Sequence, residues 1–169
     1  KERTKICEEW WTKAHELLVE YGLTRQQLDE AVRREVNLVL REGCEEMFKI
    51  LEKNEVPLLI FSAGLGDVIE VFLRTKIFRD GKIPPNIHIV SNRMRFQQDG
   101  KLIGFESDII HSCNKGLTPL RALQRKGIFE GRTTALLLGD SLGDVHMADW
   151  LVKSRYVKDV LKVGFLNRD

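Results

Sequence analysis

The spacing of apolar positions divides the chain into a helical opening and a longer stretch of short apolar runs separated by amphipathic ones. Between Ile6 and Tyr21, the residues Ile6, Trp10, Trp11, Ala14, Leu17, Leu18 and Tyr21 recur at steps of three and four, the period of an amphipathic helix. Gly22 closes that pattern, because glycine readily takes the left-handed backbone on which helices commonly end. Thr24 then opens a second helix as its N-cap, and Gln27 three residues on completes a capping box. The stripe expected to be buried on that helix is Leu28, Ala31, Val32, Val36, Val39 and Leu40. Gly43 interrupts it before a third helix that reaches about Lys53.

After Asn54 the period changes. Val56 to Phe61 is an unbroken apolar run bounded by polar and glycine-rich sequence, which is how a parallel strand buried on both faces reads. The same signature returns at Ile87 to Val90, at Ala135 to Leu138 and, more weakly, at Val160 to Phe165. Helical patterns lie between most of these runs, so the expected fold is a doubly wound α/β parallel sheet. Arg93 to Phe96 and Leu102 to Phe105 flank Asp99-Gly100 and predict a hairpin.

A chain of 169 residues with 43% hydrophobic and 31% charged residues has the material for one compact core and a small appended subdomain. Its formal charge of +2 is not gathered into a basic run of the kind that follows a nucleic-acid backbone, so charge argues against nothing and for little; no nucleic-acid polymer is expected as partner. Cys7, Cys44 and Cys113 are odd in number, widely spaced and without a CxxC pair, which fits a reduced, cytoplasmic protein. No stretch approaches the roughly 18 apolar residues that span a bilayer, and no membrane association is expected.

In open α/β sheets ligands sit at the carboxyl ends of the strands, and three such places carry suitable side chains. Ser62, Ala63 and Gly64 follow the first apolar run; a hydroxyl and small-residue amides ahead of a helix suit an anion, although the same sequence also makes a plain tight turn. Gly139-Asp140-Ser141-Leu142-Gly143-Asp144 follows the third run. Two carboxylates behind a buried strand suit a hard cation that needs oxygen ligands, and the competing reading is an N-cap. Lys115, within Ile109 to Gly116, is an ordinary surface charge when read alone. Beside a bound phosphate its ammonium would neutralise the dianion. His111 reads as a packing or loop histidine.

A strand-borne serine, a later lysine and then GDxxGD is the order of three motifs in the haloacid dehalogenase superfamily. Glu9-Trp10-Trp11-Thr12-Lys13-Ala14-His15, Phe61 to Gly64, Val90-Ser91-Asn92, Gly139-Asp140-Ser141 and Val163 to Asn167 further resemble the cytosolic 5′-nucleotidase III family over nearly the whole chain. The first of these is more similar to the 7-methylguanosine-phosphate branch than to the pyrimidine branch. The resemblance implies a Rossmann-like doubly wound sheet of the haloacid dehalogenase type with a helical cap. Residues 1–41 would form part of the cap and residues 42–169 the α/β core. Insertions relative to the family are expected around Arg79 to Pro85 and Ser154 to Val157.

The implied activity is Mg2+-dependent hydrolysis of a nucleoside 5′-monophosphate through an aspartyl-phosphate, by a monomer. Ser62, Ala63 and Gly64 would bind phosphate, Lys115 would hold phosphate and nucleophile, and Asp140 would bind Mg2+ with Asp144 behind it, orienting the metal shell or Lys115. Trp10, Trp11 and Ala14 share a helix face and would receive the base, or else the tryptophans cement the cap. The family's nucleophile lies in a DxDxT motif, and no DxD occurs in this sequence. The first strand, the catalytic aspartates and the family's C-terminal segment are therefore expected outside it, and the chain by itself is expected to hydrolyse nothing. The alternatives are a non-catalytic nucleotide-binding protein, or a phosphatase of the same fold acting on another small phosphomonoester.

Overall fold

The computed structural model describes residues 2–78, 80–106, 108–115 and 127–166. Arg79, Gly116 and Asn167, each named above at the edge of a motif or segment, and the first residue of the expected cap lie outside them. The chain divides into two compact units, one formed by Lys1–Cys7 with His111–Asp169 and the other by Glu8–Ile110. Among the described residues no helix is long and apolar enough to cross a membrane.

Helix α1 spans Glu2–Tyr21 and stops at Gly22, whose φ of 73° confirms the left-handed exit. The side that packs differs from the expected one. His15 is buried and Trp11, Leu18 and Val19 are partly covered, whereas Ile6, Trp10, Leu17 and Tyr21 are exposed. Helix α2 (Arg25–Arg34) carries the expected capping box: the Thr24 hydroxyl accepts the Gln27 N–H while the Gln27 side chain accepts the Thr24 N–H. It ends earlier than the apolar stripe implies, so Val36 and Val39 are 79% and 74% exposed instead of buried. Local and distant causes combine: Glu35 is extended and two β-branched valines and an asparagine follow within four residues, while the Glu35 carbonyl accepts from Lys76 Nζ.

Helix α3 (Cys44–Lys53) leads into strand β1 (Leu58–Leu65), and α4 (Gly66–Phe72) follows directly, extended by a wider turn over Leu73–Ile77. Strand β2 (Ile87–Asn92) pairs with β1 in parallel, from Leu58 opposite Ile87 to Phe61 opposite Val90, and the pairing resumes only at Leu65 opposite Asn92. Three residues of β1, Ser62 to Gly64, thus stand against Ser91 alone. They form a bulge inside the strand, not the strand-to-helix turn expected from the sequence.

Strands β3 (Met94–Phe96) and β4 (Leu102–Phe105) form the expected antiparallel hairpin. It docks on the α1–α2 connection, where Arg25 N–H reaches the Gly100 carbonyl at 2.9 Å and Leu102 N–H the Leu23 carbonyl at 2.8 Å. Asp67, in the first turn of α4, joins three of these elements. One carboxylate oxygen accepts the Met94 N–H at 2.8 Å and the other an Arg25 guanidinium N–H at 3.2 Å. Around it lies the core of this unit: Leu28, Val32, Phe48, Val71, Phe72, Leu73, Ile87, Met94 and Leu102.

In the other unit, β5 (Thr134–Gly139) and β6 (Asp159–Gly164) pair in parallel over their full length. Between them lie a single 3-10 turn at Asp144–His146 and the short helix α5 (Asp149–Lys153), against whose Trp150 the rings of Phe129 and Tyr156 pack. Burial on both faces, expected for these strands, is not what the structure shows. Leu137 is buried, but Leu136 and Leu161 are 59% and 67% exposed.

Leu102 sits at 1% exposure where the hairpin meets the helices. Leu102→Ala should therefore cost about 2–5 kcal/mol, the range for a leucine cavity, whereas Ile103→Ala on the open face should cost less than about 1 kcal/mol. Urea unfolding of the two variants beside the parent measures both.

Candidate functional site

The tip of β5 gathers three of the charged residues selected from the sequence. The strand ends at Gly139, and the chain turns so that Asp144 comes back beneath the tip. Its Oδ2 accepts the N–H groups of Asp140 at 3.2 Å and Ser141 at 3.1 Å, and its Oδ1 accepts Lys115 Nζ at 2.7 Å. Both partners of the ion pair are well covered, with side-chain exposures of 13% for Lys115 and 6% for Asp144. Asp140, by contrast, is exposed at the tip. The two carboxylates of GDxxGD thus do different things: Asp144 has both oxygens engaged inside the loop, and Asp140 presents the accessible acid.

The glycines of this motif serve close approach. A Cβ on Gly139 would lie 2.5 Å from Asp144 Cβ, and one on Gly143 would lie 2.5 Å from the Ser112 carbonyl oxygen. Gly143 has ordinary helical backbone angles, so space and not conformation selects glycine there. It lets the GDxxGD turn rest on the backbone of the loop that carries Lys115.

In the other unit the Ser62–Gly64 bulge is held from β2. Ser91 Oγ donates to the Gly64 carbonyl at 2.6 Å, and Asn92 Nδ2 donates to the Ala63 carbonyl at 2.7 Å. Asn92 also exchanges bonds with the backbone of Ile110, donating to its carbonyl and accepting its N–H. Ser62 Oγ accepts the Gly64 N–H at 3.0 Å, and a Cβ on Gly64 would crowd that hydroxyl at 3.3 Å. Reading the sequence for chemistry gave Ser91 and Asn92 no role. The signal was present, since two polar residues end an apolar strand at the level of Ser62, but two such residues also end most strands.

On α1, Trp10 is 63% exposed and Trp11 partly covered, with their rings edge to face at 5.1 Å; Ala14 is partly covered one turn further on. The residue overlooked on this helix is His15. It is 5% exposed and stacked on Phe105 at 3.8 Å, and neither ring nitrogen has a hydrogen-bond partner among the described residues. Burial pushes its imidazole below the ordinary histidine range, so it is neutral at pH 7. A cavity of about 560 Å³ beside the 36–42 connection, bordered by Val36, Val39, Lys49 and Phe72, contains none of the selected residues.

Asp67 follows the Ser62–Gly64 bulge, in the first turn of α4. Its bonds to Met94 and Arg25 commit it to the fold, and it is 6% exposed.

Burial alone would push the Asp144 carboxyl up, but the Lys115 ammonium and the Ser141 N–H together outweigh it and hold the group below the usual carboxylate range. A group depressed in the folded state contributes stability above its unfolded value, about 3.9, and loses it as pH falls through the folded value. Lys115→Met should therefore cost about 3–5 kcal/mol at neutral pH, where it strands a buried charge. The difference from the parent should shrink as pH falls below about 4, where Asp144 protonates in the unfolded chain and, in the variant, in the folded one. Urea unfolding of both proteins across this range gives the measurement.

Comparison with known proteins places this geometry in a family. The model of the pyrimidine 5′-nucleotidase (UMPH-1) family matches residues 1–169. The chain is 46% identical to the human 7-methylguanosine phosphate-specific 5′-nucleotidase, in an alignment covering 99% of this chain and 53% of that protein. It thus spans about half the length of the relative it matches. The crystal structure of cytosolic 5′-nucleotidase IIIB bound to cytidine superimposes with a TM-score of 0.79 at 31% identity, covering 98% of this chain and 53% of that one. A phosphoserine phosphohydrolase-like protein from Francisella tularensis shares the fold, with a TM-score of 0.50 at 21% identity over 81% of this chain and 56% of that one. The chain belongs to the pyrimidine 5′-nucleotidase (UMPH-1) family.

Proposed function

We propose that the protein is a Mg2+-dependent 5′-nucleotidase that hydrolyses 7-methylguanosine or pyrimidine nucleoside 5′-monophosphates through an aspartyl-phosphate. The observation that carries this reading is the charge arrangement at the tip of β5. Lys115 Nζ is fixed at 2.7 Å from a buried Asp144, and the exposed Asp140 carboxylate stands at the same strand end. A lysine held this way has a fixed position, which suits its ammonium to meet the phosphate dianion and the charge that shifts in phosphoryl transfer. The Ser62 hydroxyl, with Ala63 and Gly64, would take further phosphate oxygens.

Asp140 fits a hard divalent cation: it is an accessible carboxylate, and its own N–H is turned inward to Asp144. Asp140, with Asp144 behind it, would hold Mg2+, which would supply positive charge to stabilise the transferred phosphoryl group. Trp10 offers an indole face to solvent. A 7-methylated guanine is cationic, so stacking there would add about 1 kcal/mol or more beyond what a neutral base gains.

The fold that goes with this function is a Rossmann-like doubly wound sheet of the haloacid dehalogenase type. Residues 1–41 belong to its helical cap and residues 42–169 to its core. The setting is a cytoplasmic monomer whose partner is a nucleoside monophosphate and neither nucleic acid nor membrane. The nucleophilic aspartate comes from outside these 169 residues, because the sequence has no DxD and the buried acids Asp67 and Asp144 among the described residues are tied to the partners described above.

Phosphate release from 7-methylguanosine and cytidine monophosphates, with magnesium, tests the reading on three proteins: the 169-residue chain, a form extended to include the DxDxT strand, and that form carrying Asp140→Asn. Turnover is expected from the extended form, none from the short chain, and at least about a hundredfold less from the Asp140 variant. Comparable turnover by all three would contradict the assignment.

A further inference from the structure

Cys7 and Cys113 are 106 residues apart in sequence, and within their shared unit their sulfur atoms are 3.1 Å apart. None of the three cysteines is in a disulfide. Cys7 lies on α1 and Cys113 on the loop that carries Lys115, and both are partly covered instead of sealed in the core. His111 completes the cluster. It is 2% exposed, a ring nitrogen lies within 4.8 Å of both sulfurs, and its Nδ1 accepts the Cys113 N–H at 3.2 Å.

Two chemistries suit two thiols beside an imidazole: a soft metal ion, or a sulfur–sulfur bond. Distance alone does not separate them, since either outcome moves the sulfurs by about an ångström or less. Two thiolates on one tetrahedral Zn2+, each at about 2.3 Å, stand roughly 3.8 Å apart, so a metal would have to spread this pair. A disulfide needs about 2.05 Å, an approach of roughly 1 Å by side chains on a helix and a loop. The hydrogen bonding of His111 separates the two: a ring whose Nδ1 accepts the Cys113 N–H carries its proton on Nε2, so neither nitrogen offers a lone pair to a metal in this arrangement.

We propose that Cys7 and Cys113 are a reversible dithiol–disulfide pair, a modification site that fastens the loop bearing Lys115 to the start of α1. The oxidant is a low-molecular-weight disulfide of the glutathione class. One cysteine thiolate attacks it, forming a mixed disulfide and releasing one glutathione thiolate. The second cysteine thiolate then displaces the other glutathione, closing the internal bond. Two cysteine protons and two electrons leave with the two glutathione thiols, and a reducing thiol in excess runs the sequence backward. In a reducing cytoplasm such a bond is a sensor of oxidation, not a structural staple. The pair stands on its own geometry, independent of the phosphatase reading.

The test is to incubate the folded 169-residue chain with oxidised glutathione, then count free thiols in denaturant and map disulfides by mass spectrometry of proteolytic peptides. The count should fall from three to one, the intact mass should drop by two hydrogens, and a Cys7 peptide should be joined to a Cys113 peptide. Dithiothreitol should restore all three. Cys44→Ser should still form the bond, while Cys7→Ser and Cys113→Ser should stop at a single glutathione adduct. Glutathione on both Cys7 and Cys113 without a cross-link would overturn the proposal. So would cross-links through Cys44, or a pair protected from oxidation by one equivalent of zinc in metal analysis.

Discussion

The candidate site depends on one buried carboxylate. Asp144 reaches back under the end of β5 and satisfies two amides of its own turn with one oxygen and Lys115 with the other. Removing a charge from water is costly, so this arrangement persists only because both oxygens are paired. The same pairing forces what surrounds it. Gly139 must lack a side chain for Asp144 to fit, Gly143 must lack one for the turn to lie on the Ser112 carbonyl, and the Lys115 loop is drawn to the strand tip. Asp140 is left as the acid that faces outward, and a division of labour between two similar residues follows from a single packing constraint.

The other unit uses the same device for a different end. Asp67 also buries a carboxylate and fills it with a backbone N–H and a basic side chain, but its partners come from β3 and α2. Its effect is to hold the hairpin and helices around β1 while Ser91 and Asn92 hold the bulge. Neither acid can be told from the other by residue type or by position after a strand. The difference lies in what each carboxylate touches.

Much of the fold was legible because its signals are local. The Thr24–Gln27 box, the exit at Gly22, the hairpin at Asp99-Gly100 and the four parallel strands each follow from a few neighbouring residues. What failed depended on distant partners. The end of α2 is set in part by Lys76, the bulge at Ser62 by Ser91 and Asn92, and the side of α1 that packs by residues such as Phe105. The site was legible in the same partial sense. The order serine, lysine, GDxxGD named the residues, and the family resemblance left Asp144 to orient either the metal shell or Lys115, of which the structure shows the lysine contact; the meeting of Cys7 with Cys113 joins positions whose spacing carries no period.

The claim that the Lys115–Asp144 pair organises this site is tested most directly by a double-mutant cycle with Lys115→Met, Asp144→Asn and the combination, read by urea unfolding at neutral pH. Residues bound to each other in a covered site should show a coupling of about 1.5–3 kcal/mol, the double variant losing much less than the sum of the singles. A coupling within about 0.3 kcal/mol of zero, with the two losses simply adding, would contradict the account.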